Sequence, residues 1–447
     1  MTTTIDVIEV PTAPGGLPML GHALEMKRRP ADFLLSLQPG DPVTRIRLGR
    51  AAMYVVNRPD LIREVLRRPE TFARGGAVLD RYRQMFGNGL GISEGDFHRR
   101  QRSLIQPAFH HDRIVHYSAI MSELTTEMVE SWRDGQRLRV DKEMDELALA
   151  NATRVIFATD TALDGERFMA AATVFLSGLF RRITDATGLL TKLPTPGNRR
   201  YREATDYLRR TVHEVITSYR ANNIDHGDLL SMMLLAQDEN GQPAMSDKQL
   251  HDEVMTFYIA GSNTVSNTLS WAFHEIAVHP DVERRLHAEV DRVLSGRAAE
   301  YADIAQLEYC RRIISETLRK RTQGIFLSRI TTTATELGGY HIPAGASVLY
   351  SFHALNHNPS IHPEAERFDP DRWSPERTKA LPRGAFMPFG AGVHGCIGER
   401  FAWVEMIAIL ATVAARWRLV PVPGHEPQPK PAITMPVDAL PMTVHRR

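Results

Sequence analysis

Cysteine is nearly absent: the 447 residues carry only Cys310 and Cys396. That excludes a disulfide-stapled scaffold and points to a reducing compartment. An excess of either charge is missing too, with 54 Lys and Arg against 53 Asp and Glu, so no broad basic face for nucleic acid is predicted. Residues 1–30 are polar and broken by proline, without a long apolar run or the basic–apolar–small order of a secretory leader. The expectation is a cytoplasmic protein with no membrane anchor. Also lacking are a dinucleotide- or flavin-binding glycine fingerprint, an internal repeat and any low-complexity tract.

What is present reads as a mainly α chain with a smaller β region. Val43–Leu48 alternates and Ala52–Val56 is compact and apolar, with Gly49-Arg50 between them, which predicts a β-hairpin. Pro59 opens a helix over Asp60–Arg68. Residues 71–95 are rich in glycine and poor in periodic apolar positions, and a loop of that length is usually functional or disordered. His98 and Arg102 share one helical face in a basic stretch that, on residue type alone, reads as a solvated surface. Helical periodicity runs from about His111 to Asn222, with a break at Leu189–Asn198.

His251 to about Ala277 is long and apolar on most sides, the pattern of a central buried helix. Inside it Gly261, Ser262, Asn263 and Thr264 cost helix propensity. Gly261 permits close approach of a ligand, and the Thr264 hydroxyl can bond a carbonyl one turn back. Cys310 lies in a helical pattern as an inert packed thiol. One domain over 1–447 is expected, β-rich at about 40–58 and 329–355, helical over about 59–328, with a glycine loop at 386–398.

That loop, Phe389-Gly-Ala-Gly-Val-His-Gly-Cys-Ile-Gly398, runs into an apolar helix from Glu399 to about Trp417. Glycines let backbone N–H groups turn toward the Cys396 sulfur, and a helix start favours the thiolate. This is how a chain presents a thiolate to a metal.

The stretch resembles the cysteine-ligand loop of the cytochrome P-450 haem monooxygenases, Phe-x-x-Gly-x-(Arg/His)-x-Cys-x-Gly, and the chain is similar to the soluble bacterial members over nearly its whole length. The resemblance implies the cytochrome P-450 fold and haem b, with Cys396 as thiolate ligand and Phe389 and His394 beside it. His98 and Arg102 resemble the family's Trp/His-x-x-x-Arg segment, and Arg329 its propionate-binding arginine. Ala260-Gly-Ser-Asn-Thr264 resembles the oxygen-activation motif, but Asn263 stands where that motif has an acid, and Asn cannot ionise. Glu316, Arg319 and Arg372 match the Glu-x-x-Arg and Pro-x-Arg segments of a structural ion network. Val78, Leu79, Phe86, Phe257, Ala260, Ile325 and Phe326 are the candidates for an apolar substrate cavity.

The implied reaction inserts one atom of O2 into an apolar small molecule, with electrons passing from NAD(P)H through a ferredoxin and a ferredoxin reductase to a monomeric enzyme. The Gly-Gly-Leu-Pro entry and Arg-Arg-Gln-Arg-x-x-x-Gln-Pro-Ala-Phe look like bacterial sesquiterpene hydroxylases of the pentalenene oxygenase type. The competing readings are a peroxide-driven peroxygenase, which could dispense with Thr264, a non-enzymatic haem sensor, which needs no oxygen groove, and a nucleophilic cysteine enzyme, which needs Cys396 accessible beside a base such as His394.

Overall fold

The computed structural model describes residues 8–76, 79–80, 82–83, 87–157, 165–184, 193–222, 226–237, 240–430 and 436–447. Two compact units divide the chain, residues 1–80 with 316–396 and residues 81–315 with 397–447.

The first unit is built on a five-stranded sheet in the order Val43–Leu48, Ala51–Val56, Ser347–Tyr350, Leu327–Thr331, Phe72–Ala73. The expected hairpin forms, with Val43 opposite Val56 and Leu48 opposite Ala51. Ala51–Val56 then pairs in parallel with Ser347–Tyr350, while the remaining pairs are antiparallel. Helix Pro59–Arg67 begins with proline at its first position and buries Leu61, Ile62, Val65 and Leu66, the spacing of a single apolar stripe. These four pack with Val43, Val56, Phe72, Val348 and Tyr350 into one apolar core.

The second unit is helical. Its longest helix, Asp247–Val278, starts at a capping box in which Ser246 Oγ accepts from Gln249 N and Gln249 Oε1 accepts from Ser246 N. Pro280 opens the following helix, Pro280–Leu294, so the long helix ends where proline cannot continue it. Helix Glu399–Arg416 is buried almost throughout, from Phe401 to Ala415. Helix His111–Ser131 packs against it, and Val140–Ile156 packs against the long helix. A three-stranded sheet places Pro441–Arg446 between Arg137–Arg139 and Trp417–Pro421. The helix expected from Glu399 to about Trp417 runs to Arg416, and Trp417 begins a strand.

Candidate active site

In the first unit the cysteine loop is closed by its own backbone. Cys396 N donates to Phe389 O at 2.9 Å, Gly395 N to Gly392 O at 3.0 Å, and Gly390 N to Met387 O at 3.0 Å. Gly390 and Gly392 take φ of 71° and 72°, where a side chain is strained. A Cβ on Gly392 would also overlap the carbonyl oxygen of Leu66, so glycine is required there by contact as well as by conformation. The result is an exposed Cys396, while Cys310 is fully buried and its thiol is pushed well up by burial and by Glu289. Only the first has the exposure of a ligand.

Arg329 sits in the strand Leu327–Thr331 and is 7% exposed. Its guanidinium donates to Ser328 O at 2.9 Å and lies 5.6 Å from the centre of the Tyr350 ring. Among the described residues no carboxylate pairs with it. Register brings a second cation beside it: Phe72 lies opposite Thr331 and Ala73 opposite Ile330, so Arg74 follows next to Arg329, and its Nη2 reaches His394 O at 3.5 Å. Sequence reasoning passed over Arg74, because nothing marks it until the Phe72–Ala73 strand is paired.

Below the loop in chain order lies the buried ion network. Arg319 grips Glu316 with Nε on Oε2 at 2.9 Å and Nη2 on Oε1 at 2.8 Å, and both residues are fully buried. Arg372 adds Nε to Glu316 Oε1 at 3.4 Å, and Trp373 Nε1 donates to Oε2 at 2.9 Å. Two guanidiniums face one carboxylate, and the surplus positive charge falls on the carbonyls of Asn356, Ala365, Pro363 and Glu364. The Asn356 and Ala365 carbonyls, which accept from Arg319, tie this segment to the helix Glu308–Lys320.

In the second unit the long helix stays α-helical through Gly261–Thr264. Thr264 Oγ1 donates to Ala260 O at 2.8 Å and Ser262 Oγ to Tyr258 O at 2.8 Å. The hydroxyl and the Asn263 amide are half-buried, and Ala260 is exposed. A Cβ on Gly261 would meet the Ala152 methyl of the helix Val140–Ile156 at an ordinary 3.6 Å. Phe257 is half-buried, with its ring 5.7 Å from that of Phe109. His98 and Arg102 both lie on the helix Gly95–Ile105, His98 buried and Arg102 half-buried. Ser93 Oγ meets His98 Nδ1 at 3.1 Å.

Of the cavity candidates, Leu79 and Ile325 are half-buried and Phe326 is 39% exposed, while Val78 and Phe86 lie outside the described residues, as do Leu189 and Leu190 of the helical break.

Two acidic features were not singled out in the sequence. On the long helix Asp252 accepts from Asn88 N at 2.9 Å and Glu253 from Leu90 N at 2.8 Å. Burial pushes Glu253 up to about 7, opposed by the Leu90 N–H. On the helix after the cysteine loop, Glu405 accepts from Asn151 Nδ2 at 2.9 Å, and burial pushes it up to about 8. Single acids in apolar helices carry no spacing signal, which is why they were not seen.

The donor set suits haem. It offers one exposed soft sulfur, a buried guanidinium lacking an internal anion with a second one beside it, and exposed apolar side chains Val393, Phe326 and Leu327 in the same unit. A thiolate binds iron, cations meet propionates, and apolar surface meets the macrocycle.

Comparison with known proteins agrees. The family model described as cytochrome P450 matches residues 11–440. The chain is 43% identical to cyclooctat-9-en-7-ol 5-monooxygenase of Streptomyces melanosporofaciens, over 92% of this chain and 90% of that one. It is 37% identical to pentalenene oxygenase of Streptomyces avermitilis, over 94% and 93%. The crystal structure of a cytochrome P450 heme domain superposes with a TM-score of 0.86 at 25% identity, covering 99% of this chain and 98% of that one. The chain belongs to the cytochrome P450 family and is a haem-thiolate monooxygenase that uses O2.

Proposed function

We propose that this monooxygenase hydroxylates a cyclic terpene in secondary metabolism, drawing electrons from a separate ferredoxin and its reductase. The observation that carries the substrate class is the 43% and 37% identity, over more than nine-tenths of the chain, to two Streptomyces enzymes whose names state cyclooctat-9-en-7-ol and pentalenene as what they act on. The redox partner is proposed from membership of the cytochrome P450 family and from likeness to its bacterial members.

Haem, when bound, supplies the activation of O2 and the insertion of one oxygen atom. Cys396 is the iron ligand in this reading, held by the Phe389 carbonyl at its N–H and by the glycines before it. Arg329, His394, His98 and Arg102 are the partners of the propionates, with Arg74 added to them from the strand register. The Glu316–Arg319–Arg372 network keeps the approach to the loop rigid. Thr264 Oγ1 is the proton-handling atom of the long helix: its proton rests on Ala260 O, and its lone pairs accept from a donor entering the helix groove.

The test is a spectral-shift titration of the haem-loaded protein with pentalenene and other cyclic terpenes, fatty acids and steroids, followed by product analysis with O2 and a surrogate ferredoxin system. A shift and a mono-oxygenated product with a cyclic terpene are expected. Shifts and products confined to fatty acids or steroids would overturn the substrate class.

A further inference from the structure

Residues 87–93 form a segment that is bonded to the long helix at one place. Asp252 and Glu253 are consecutive, and each takes one backbone N–H of the segment, Asn88 at 2.9 Å and Leu90 at 2.8 Å. The segment's glycines exist for this approach. A Cβ on Gly87 would overlap the Asp252 carboxylate, and one on Gly89 would overlap Thr256 Oγ1. Leu90 and Ile92 are buried, 5% and 7% exposed, so the seat also carries apolar packing.

Both carboxylates are themselves buried, Asp252 7% and Glu253 1% exposed. Asp252 is balanced by Lys248 Nζ at 2.8 Å and faces His251 Nδ1 at 3.6 Å. Among the described residues Glu253 has one hydrogen-bond partner, the Leu90 N–H, so burying this acid is a cost that the seat offsets. A neutral or apolar residue would fill the position more cheaply if the segment did not have to be held.

Position explains why it is held. At 1.5 Å per residue, Thr256 lies about 8 Å and Glu253 about 12 Å along the helix axis from Gly261, and the half-buried Phe257 falls between them and that point. From the other side, Ser93 Oγ donates to Leu90 O at 3.4 Å and meets His98 Nδ1 at 3.1 Å. A hydroxyl has one proton, so with that proton on Leu90 O the histidine donates from Nδ1. The seat thus fixes a segment that continues into the helix carrying His98 and Arg102.

We propose that Asp252 and Glu253 are positioning residues for substrate selection: they seat residues 87–93 on the long helix, and that seat sets the size of apolar molecule the enzyme admits. The inference rests on the reading of the chain as a haem monooxygenase of apolar substrates. It assigns the two acids no contact with substrate or haem.

The experiment uses haem-loaded full-length protein and two azoles that bind haem iron, small imidazole and bulky clotrimazole, with amide hydrogen exchange read in the same samples. In Asp252→Ala and Glu253→Met, exchange at Asn88 and Leu90 should quicken at least tenfold while peptides of the Glu399–Arg416 helix keep their protection. The clotrimazole-to-imidazole affinity ratio should move at least threefold, and imidazole affinity should stay within twofold. Glu253→Gln keeps an acceptor for Leu90 N and should restore the parent ratio. Gly89→Ala breaks the seat from the segment's side and should reproduce the shifted ratio if an acid variant fails to fold.

An unchanged azole ratio in folded variants, or unchanged exchange at 87–93, would overturn the proposal. Equal loss of both azoles with loss of the CO-bound thiolate band would also overturn it, since the acids would then serve haem binding. Failure of the parent protein to bind any terpene refutes the substrate class above and leaves the azole ratio as a separate result.

Discussion

Replacing Glu405 by glutamine should flatten the pH dependence of stability without weakening the protein in acid. Glu405 lies on the buried helix after the cysteine loop and is 1% exposed; burial raises it to about 8 while the Asn151 amide bond pulls the other way. Its second oxygen, Oε2, and Asn151 Oδ1 are both buried without a partner so long as Glu405 is counted as a carboxylate. A proton on Oε2 turns that oxygen from an orphaned acceptor into a donor and removes the cost of burying a charge there. A folded value above the unfolded one means the native state holds more protons, so stability is greatest in acid and is lost as pH rises toward 8. Taking 4.5 unfolded and about 8 folded, the loss between pH 5 and 9 integrates to about 4 kcal/mol. For a chain of this length that is about 4 °C of melting temperature. Glutamine can accept from Asn151 Nδ2 without titrating. Melting followed by circular dichroism from pH 5 to 9 should therefore show a curve for Glu405→Gln that meets the parent's at pH 5 and lies about 4 °C above it at pH 9. Parallel curves would refute the buried proton, and a large deficit at pH 5 would refute the pairing. Glu253, raised to about 7, titrates in the same direction and leaves about 2 to 3 kcal/mol of slope in the single variant.

Glu316→Gln leaves Arg319 and Arg372 buried without their carboxylate and should cost about 3–5 kcal/mol, read as loss of folded, haem-loaded protein in the CO-difference spectrum. Gly392→Ala, with φ of 72° and its Cβ against the Leu66 carbonyl, should cost about 3 kcal/mol or more and reduce haem retention; a variant as stable as the parent would show that the loop can move away from Leu66. Thr264→Ala should keep the thiolate CO band and divert electrons to peroxide, measured as peroxide formed per NAD(P)H consumed. Asn263→Asp places an ionisable group next to Thr264 and should lower that peroxide fraction; an unchanged fraction would show that position 263 takes no part in proton supply.

Much of the fold was legible because the relevant signals are local. Alternation over 43–48, the Pro59 helix start and the apolar run from His251 each depend on neighbours within a few residues; the strand has the expected bounds, and the two helices differ from theirs by one to four residues. The cysteine loop was legible because several spaced residue types fell in one short window. Long-range contacts were not. The pairing of Phe72–Ala73 with Leu327–Thr331, which places Arg74 beside Arg329, joins segments more than 250 residues apart. The acids of the long helix looked like ordinary polar positions until the glycines of 87–93 were seen against them. Nor does the sequence announce that the Ala152 methyl lies 3.6 Å from where a Gly261 side chain would begin, since that neighbour comes from another helix.

The same helix narrows the question of protons. Its acids are Asp247, Asp252, Glu253 and Glu275, and those nearest to Thr264 on either side, Glu253 and Glu275, are each eleven residues away, about 16 Å along the axis. Neither can hand a proton to Thr264 directly. Between them the hydroxyls of Ser262, Thr264, Thr268 and Ser270 each donate to the carbonyl four residues back, and Ser266 donates to Asn263 O. The protons of Ser262, Thr264, Thr268 and Ser270 are therefore engaged with backbone, while Ser266 also bonds the Asp145 side chain on the helix Val140–Ile156. Asn263 Nδ2 points to Ser262 Oγ at 3.4 Å, a weak bond that keeps it on its own helix. For Thr264 to deliver its proton, the bond to Ala260 O has to break, and the replacement proton has to reach Oγ1 from outside the helix. In the reading proposed above, in which Thr264 handles the proton, asparagine in place of the motif's acid leaves the hydroxyl in place without an ionisable neighbour at position 263, and the peroxide fraction of Asn263→Asp is the measurement that decides whether this position limits coupling.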